Sequence, residues 1–281
     1  ERIPTEFPAM WLVVPRSVTY KSSDGLTVHA QLFEPPAGGA ARKPAVVYVH
    51  GGPPRQMLLG WHYSDYYWNA YAMNQYLASR GFTVLAINYR LGIGYGHDFH
   101  RPPRAGIAGA SEYLDVKAAG EYLRTLATVD PARIGIYGGS YGGYLTALAL
   151  GRNSDIFAAG VDIHGVHDFT SDGGGRIGAG SWRYERPASE VQWLADLAWQ
   201  SSPISSVKTW RSPVLFIHGD DDRNVRFGQT VDLIQRIKKQ GVEYEEITIV
   251  DDTHHFMRNA NQLRVNAAIA EYLERKLKPG R

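Results

Sequence analysis

The chain has 281 residues, 30 basic against 28 acidic side chains, 44% hydrophobic content and no cysteine. The absence of cysteine excludes disulfides, thiolate chemistry and cysteine-based zinc sites, and a net charge of +2 provides no cationic field for nucleic acid. No apolar run reaches the roughly 18–20 residues of a membrane span, so the composition fits one large globular domain or two small ones.

The opening stretch ERIPTEFPAMWLVVPRSV lacks the basic and apolar regions of a signal peptide. It reads as an extended, proline-punctuated arm or linker over residues 1–16, left from a longer chain, and assigns no compartment. Two runs rich in β-branched residues then flank Ser22-Ser23-Asp24-Gly25 and predict a β-hairpin. AVVYVHGG is a continuous apolar strand ending in a glycine pair. DYYWNAYAMNQYLASRG is a helix closed by Gly81, and FTVLAINYR is the next buried strand. Residues 111–128 carry apolar positions at helical spacing, with Ser111 as a cap.

RIGIYG, YLTALALG and FAAGVDIHG follow as strand, helix and strand. A glycine run, Gly173 to Gly175, precedes a helix around 188–200. The chain closes with strand PVLFIHG, helix QTVDLIQRIKKQG, strand YEEITIV and helix QLRVNAAIAEYLERKL. From residue 45 onward strands alternate with helices. With the hairpin, this predicts an α/β domain over residues 17–281: an eight-stranded, mostly parallel sheet with helices on both faces.

Ligands of such sheets gather beyond the carboxyl ends of the strands, so the reactive side chains there carry the argument. The fifth strand delivers Ser140, the seventh HGDDDRNV (218–225) and the eighth DDTHHF (251–256). Serine, acid, histidine is the chain order of a serine triad built on an α/β-hydrolase sheet. Gly138 and Gly142 bracket Ser140 where side chains would collide with the adjoining strand and helix. The following helix points its positive end at the site, and the Tyr141 N–H is a candidate oxyanion donor. Spacing alone does not choose between His254 and His255 for the base, nor among Asp220, Asp221 and Asp222 for the acid. His50, after the third strand, stands where a second oxyanion donor belongs.

The segments DGLTVHAQLFEP, VHGGP, NYRLGIGYG, GGSYGG, SPVLFIHGDDDRNV and THHF resemble the catalytic domain of the prolyl oligopeptidase family of serine peptidases, from about Pro15 to Leu277. The acylaminoacyl-peptidase and dipeptidyl-peptidase branches look closest. The resemblance implies Asp222 as the acid, three positions after the glycine of HG, and His254 as the base, two before Phe256. It aligns His50 with a position whose side chain, tyrosine in several members, gives the second oxyanion donor, leaving side-chain or backbone donation open here. It also implies an N-terminal β-propeller that gates the site, for which this chain has no counterpart.

The expected function is that of a serine peptidase cleaving short peptides through an acyl-enzyme. A carboxylesterase acting on small acyl esters and a non-catalytic hydrolase-like binding module are the alternatives. No metal or organic cofactor is required, and strand alternation would scatter Asp162, His164, His167 and Asp168 rather than gather them on an ion. Arg90 reads as structural, paired with a carboxylate or loop carbonyls. Trp61 and Tyr63, in the aromatic run 60–71, are candidate pocket walls, and Phe169, Trp182 and Tyr184 are candidates for an apolar side-chain pocket. Expected partners are a short peptide or small ester, with neither nucleic acid nor membrane, together with a second copy or a missing propeller region.

Overall fold

A computed structural model describes residues 5–36, 41–171 and 188–278. Eight strands form one sheet: β1 (Arg16–Lys21), β2 (Thr27–Phe33), β3 (Lys43–Val49), β4 (Thr83–Asn88), β5 (Val129–Gly139), β6 (Ala159–Ile163), β7 (Val214–Gly219) and β8 (Tyr244–Ile249). Their order is β1-β2-β4-β3-β5-β6-β7-β8; β1 and β2 pair antiparallel, as do β2 and β4, and the remaining pairs are parallel. The central strands are buried along almost their whole length, which is why they read as unbroken apolar runs. The edge strand β1 alternates between exposed and buried positions.

Among the described residues the longer helices are α1 (Asp65–Ser79), α2 (Tyr113–Thr125), α3 (Tyr141–Arg152), α4 (Ala188–Ser201), α5 (Gly228–Lys239) and α6 (Asn259–Leu277), with a single further helical turn at His97–His100. Met73 and Leu77 of α1 and Ile269 and Leu273 of α6 pack with Val46, Val84 and Val161 on one face of the sheet. Val116 and Leu123 of α2, Leu145 and Leu148 of α3, and Leu233 of α5 pack with Val47, Leu85 and Ile136 on the other. Each fully buried side chain of this kind contributes about 1.5–3 kcal/mol. No described helix is long and apolar enough to cross a membrane.

The strand order positions the site. The chain passes from β3 to β4 on one side, and β5 then lies on the other side of β3. This reversal opens a crevice beyond the carboxyl ends of β3 and β5, where the 50–52 turn meets Ser140. One local expectation fails. Ser111 does not cap α2; its hydroxyl donates to the Pro103 carbonyl, and Glu112 occupies the cap position in helical conformation. The Glu112 carboxylate instead accepts hydrogen bonds from the Gly106 N–H and the Tyr141 hydroxyl.

Arg90, which follows β4, ties the hairpin to α2. Its guanidinium donates to both carboxylate oxygens of Asp115 at 3.0 and 2.7 Å, and to both of Asp24 at 2.6 and 2.9 Å. The Asp115 side chain is fully buried and that of Asp24 is 41% exposed. Asp115→Ala leaves the guanidinium buried and half-paired. It is expected to lower unfolding free energy by about 3–5 kcal/mol, against about 1 kcal/mol or less for Asp24→Ala, as read from chemical denaturation.

Candidate active site

Ser140 joins β5 to α3 at φ 59° and ψ −119°, a strained conformation for a residue with a Cβ. Its N–H is held by the Ile163 carbonyl of β6 at 2.9 Å, and its carbonyl accepts the Tyr144 N–H at 2.9 Å. A Cβ on either Gly138 or Gly142 would run into the Val49 carbonyl of β3. The flanking glycines therefore let the turn press against the neighbouring strand, which lifts the serine above the sheet, half-buried.

The three consecutive aspartates after β7 have different fates. Asp220 accepts the Asp251 N–H, and Asp221 pairs on the surface with Arg223. Asp222 is buried: Oδ1 accepts the N–H groups of Asn224 and Val225, and Oδ2 lies 2.6 Å from His254 Nδ1 and 3.2 Å from His218 Nε2. Burial pushes this carboxyl up, but the bonds from His218, His254 and the Val225 amide outweigh it and hold the group well below the usual carboxylate range. His218 Nε2 also faces the Val225 carbonyl at 3.0 Å, while Nδ1 meets the Thr230 hydroxyl at 2.7 Å. Two acceptors at Nε2 put the ring proton there.

His254 is buried, whereas His255 is exposed and sits against Tyr66. The carboxylate at His254 Nδ1 draws the proton to that nitrogen and leaves Nε2 with its lone pair, the tautomer a general base needs. Among the described residues neither His254 Nε2 nor the Ser140 hydroxyl has a hydrogen-bond partner. His164, after β6, connects the two regions. It lies close to Gly139, and its ring lies against that of His254, tilted by 33° with centroids 4.1 Å apart.

On the oxyanion side, Tyr141 is the first residue of α3, so its N–H has no acceptor within the helix. Of the two donations left open at His50, that by the side chain meets a physical obstacle. The ring is fully buried against Tyr89, and its Nδ1 donates to the Gly51 carbonyl at 2.8 Å. Neutral imidazole carries one proton, so Nε2 has none to give. Gly51 is the better placed group. A Cβ there would lie 3.3 Å from Ser140 Cβ, and no hydrogen bond among the described residues uses the N–H of Gly51 or Gly52.

The expected pocket walls divide. Phe169 packs edge-on to Tyr144, which in turn meets Tyr141, the residue after Ser140. Trp61 packs instead on Phe7, Trp68 and Tyr71, between the N-terminal arm and α1, and Tyr63 is a surface ring stacked on His62. Trp182 and Tyr184 lie outside the described residues. Tyr66 and Tyr67 lie close to the Ser140 turn: the Tyr66 hydroxyl hangs over Gly139 and the Tyr67 hydroxyl approaches Gly51. Their signal was the aromatic run itself, one helical turn further along.

Asp162 binds buried His167 at 2.7 Å, and Asp168 caps Thr170, so these residues do not converge with His164. Among the described residues, the group whose geometry could admit a metal ion is His164, Asp222 and His254. Two of its members are already bonded to each other.

Burial lowers the His50 titration from the usual 6.5 to about 4, outweighing its bond to Gly51. The folded state thus keeps His50 neutral. Stability from this source is complete above pH 6.5 and is lost as pH falls towards 4, because the unfolded chain binds the proton first. His50→Phe should flatten the pH dependence of the denaturation midpoint in this window by about one proton, roughly 1.4 kcal/mol per pH unit.

The model of the prolyl oligopeptidase family matches residues 68–280. An uncharacterised peptidase, YuxL, of Bacillus subtilis is 29% identical over 88% of this chain and 36% of its own length. Dipeptidyl aminopeptidase BIII of Pseudoxanthomonas mexicana is 27% identical over 93% of this chain and 38% of its own. The solved acylaminoacyl peptidase of Pyrococcus horikoshii superposes with a TM-score of 0.76 at 28% identity, covering 94% of this chain and 42% of that one. The chain therefore spans well under half the length of the relatives it matches. With residues 68–280 matched by its family model and the α/β-hydrolase sheet in place, the chain belongs to the prolyl oligopeptidase family.

Proposed function

We propose that this chain is a serine hydrolase domain that cleaves short peptides by way of an acyl-enzyme, with Ser140, His254 and Asp222 as its catalytic triad. The observation that carries the reading is the 2.6 Å bond from His254 Nδ1 to the buried, ionised Asp222, together with a serine held at positive φ at the end of β5. Ser140 Oγ attacks the scissile carbonyl while His254 Nε2 takes its proton; the same nitrogen then protonates the leaving amine. A water, activated by His254, hydrolyses the ester formed on Ser140. Asp222 holds the imidazole in the required tautomer and offsets its charge. The Tyr141 N–H, aided by the Gly51–Gly52 backbone, receives the oxyanion at the positive end of α3.

Phe169 and Tyr141 supply an apolar wall for the acyl side chain. Met10 and Trp11 of the arm and Leu59 and Trp61 are exposed apolar side chains, and Trp61 packs on Phe7 of the arm. Such exposed apolar groups support the expected contact with a propeller region of a larger protein or with a second copy.

A fluorophosphonate probe is expected to label Ser140, and Ser140→Ala should lose about three or more orders of magnitude in kcat. Asp222→Asn should lose up to about four orders with the fold intact, and His254→Ala should be nearly inactive while His255→Ala keeps substantial activity. An active His254→Ala protein, or damage confined to Asp221→Asn, refutes these assignments.

Substrate class is read from kcat/KM on a peptide anilide and a nitrophenyl ester of one acyl group, each with a free or acetylated amino end. Turnover of the anilide with little preference for the free amine is expected. Hydrolysis of the ester alone would make the domain an esterase.

A further inference from the structure

His164 follows β6 and is no member of the triad, yet the fold constrains it from several directions. Its φ is +42°, in the left-handed region that side-chain-bearing residues rarely occupy, and its N–H is pinned to the Ile217 carbonyl at 2.8 Å. The ring is buried. Nε2 meets the Tyr66 hydroxyl at 3.0 Å, and that hydroxyl leaves no room for a side chain at Gly139, next to the nucleophile. The His164 ring lies against that of His254, centroids 4.1 Å apart and tilted by 33°, and the Phe256 ring is 5.3 Å from it.

This placement has an electrostatic consequence. Burial, reinforced by His254 and His218, lowers the titration of His164 well below the usual histidine value, so the ring is neutral at working pH. A neutral aromatic face attracts a neighbouring cation; a charged ring would repel it. Acyl transfer protonates His254 in each half-reaction. Asp222 stabilises that cation in the plane of the ring, through Nδ1, and leaves its face to whatever packs there.

We propose that His164 is a positioning residue for His254: a second imidazole, held by Tyr66, that supports the His254 ring by its face and favours that ring's protonated form. The inference rests on His254 being the base. It goes beyond simple filling of space, because a side chain of similar size without a π-face would not replace it.

The test compares His164→Phe with His164→Leu. Both remove the bond to Tyr66 and both are apolar, but only phenylalanine keeps an aromatic face. The readout is the acidic limb of the pH profile of kcat/KM for a small nitrophenyl ester, which follows protonation of the base in free enzyme. The ionisable groups around His254 are Asp222 and His218 from the end of β7, Tyr66 from α1, His255 beside it and His164 itself. All except His164 are common to the proteins compared.

The phenylalanine variant should keep the wild-type limb and kcat within about threefold. In the leucine variant the limb should move to lower pH by about half a unit or more, and kcat should fall about tenfold. The direction follows from the cation: without the face, protonated His254 is less favoured and gives up its proton at lower pH. If the leucine variant does not fold, His164→Gln, which retains a polar partner for Tyr66, must show the same displaced limb. Equal limbs in the phenylalanine and leucine variants, or an undisplaced glutamine variant, overturn the proposal. Fluorophosphonate labelling separates this from failure of the reading beneath it. A wild-type protein that is neither labelled nor active refutes the hydrolase assignment, whereas a labelled, active wild type with coincident variant limbs refutes only the role of His164.

Discussion

The site depends on how closely the turn between β5 and α3 approaches the end of β3. The Val49 carbonyl occupies the space that side chains at 138 and 142 would need. That contact forces two glycines, sets the strained backbone of Ser140 and starts α3 immediately after it. The same approach brings Gly51 against Ser140 Cβ, so Ser140 and the candidate oxyanion donors are assembled by one packing constraint. Strand order explains why it occurs here: β3 and β5 are neighbours at the point where the winding of the sheet reverses.

Around this turn the charge is arranged asymmetrically. One ionised carboxylate, Asp222, sits among imidazoles, with His254 and His218 on the same oxygen and His164 behind His254. Complete burial disfavours charge on His164 and His50. His218 is itself fixed by Thr230 and the Val225 carbonyl, so the orientation of the acid is set from α5 as well as from its own loop.

The eight strands and six longer helices were legible because their signals are local and repeated. Buried central strands read as unbroken apolar runs, and the helices carry apolar positions at three- and four-residue spacing. The Gly-x-Ser-x-Gly turn was legible for a related reason, since its steric demand falls on residues within the motif. Ser111 was misread as a cap because a serine before a helix says nothing about the Pro103 carbonyl, which competes for its hydroxyl. An aromatic run does not reveal its facing direction: α1 turns Tyr66 and Tyr67 to the Ser140 turn, and Trp61 packs on the arm.

The sequence by itself determined the α/β architecture, the family and the three loops that carry serine, acid and histidine. Those properties follow from periodicity and from short motifs whose chemistry is self-contained. Only the tertiary structure decided which of three adjacent aspartates meets which of two adjacent histidines, and that the His50 ring turns inward and spends its proton on Gly51. Neighbouring residues in a loop have nearly the same sequence context yet point in different directions. Asp222 and His254 follow β7 and β8, the His50 ring packs on Tyr89 beyond β4, and hydrogen bonds act over about 3 Å. Such a choice exists only once the strands are side by side.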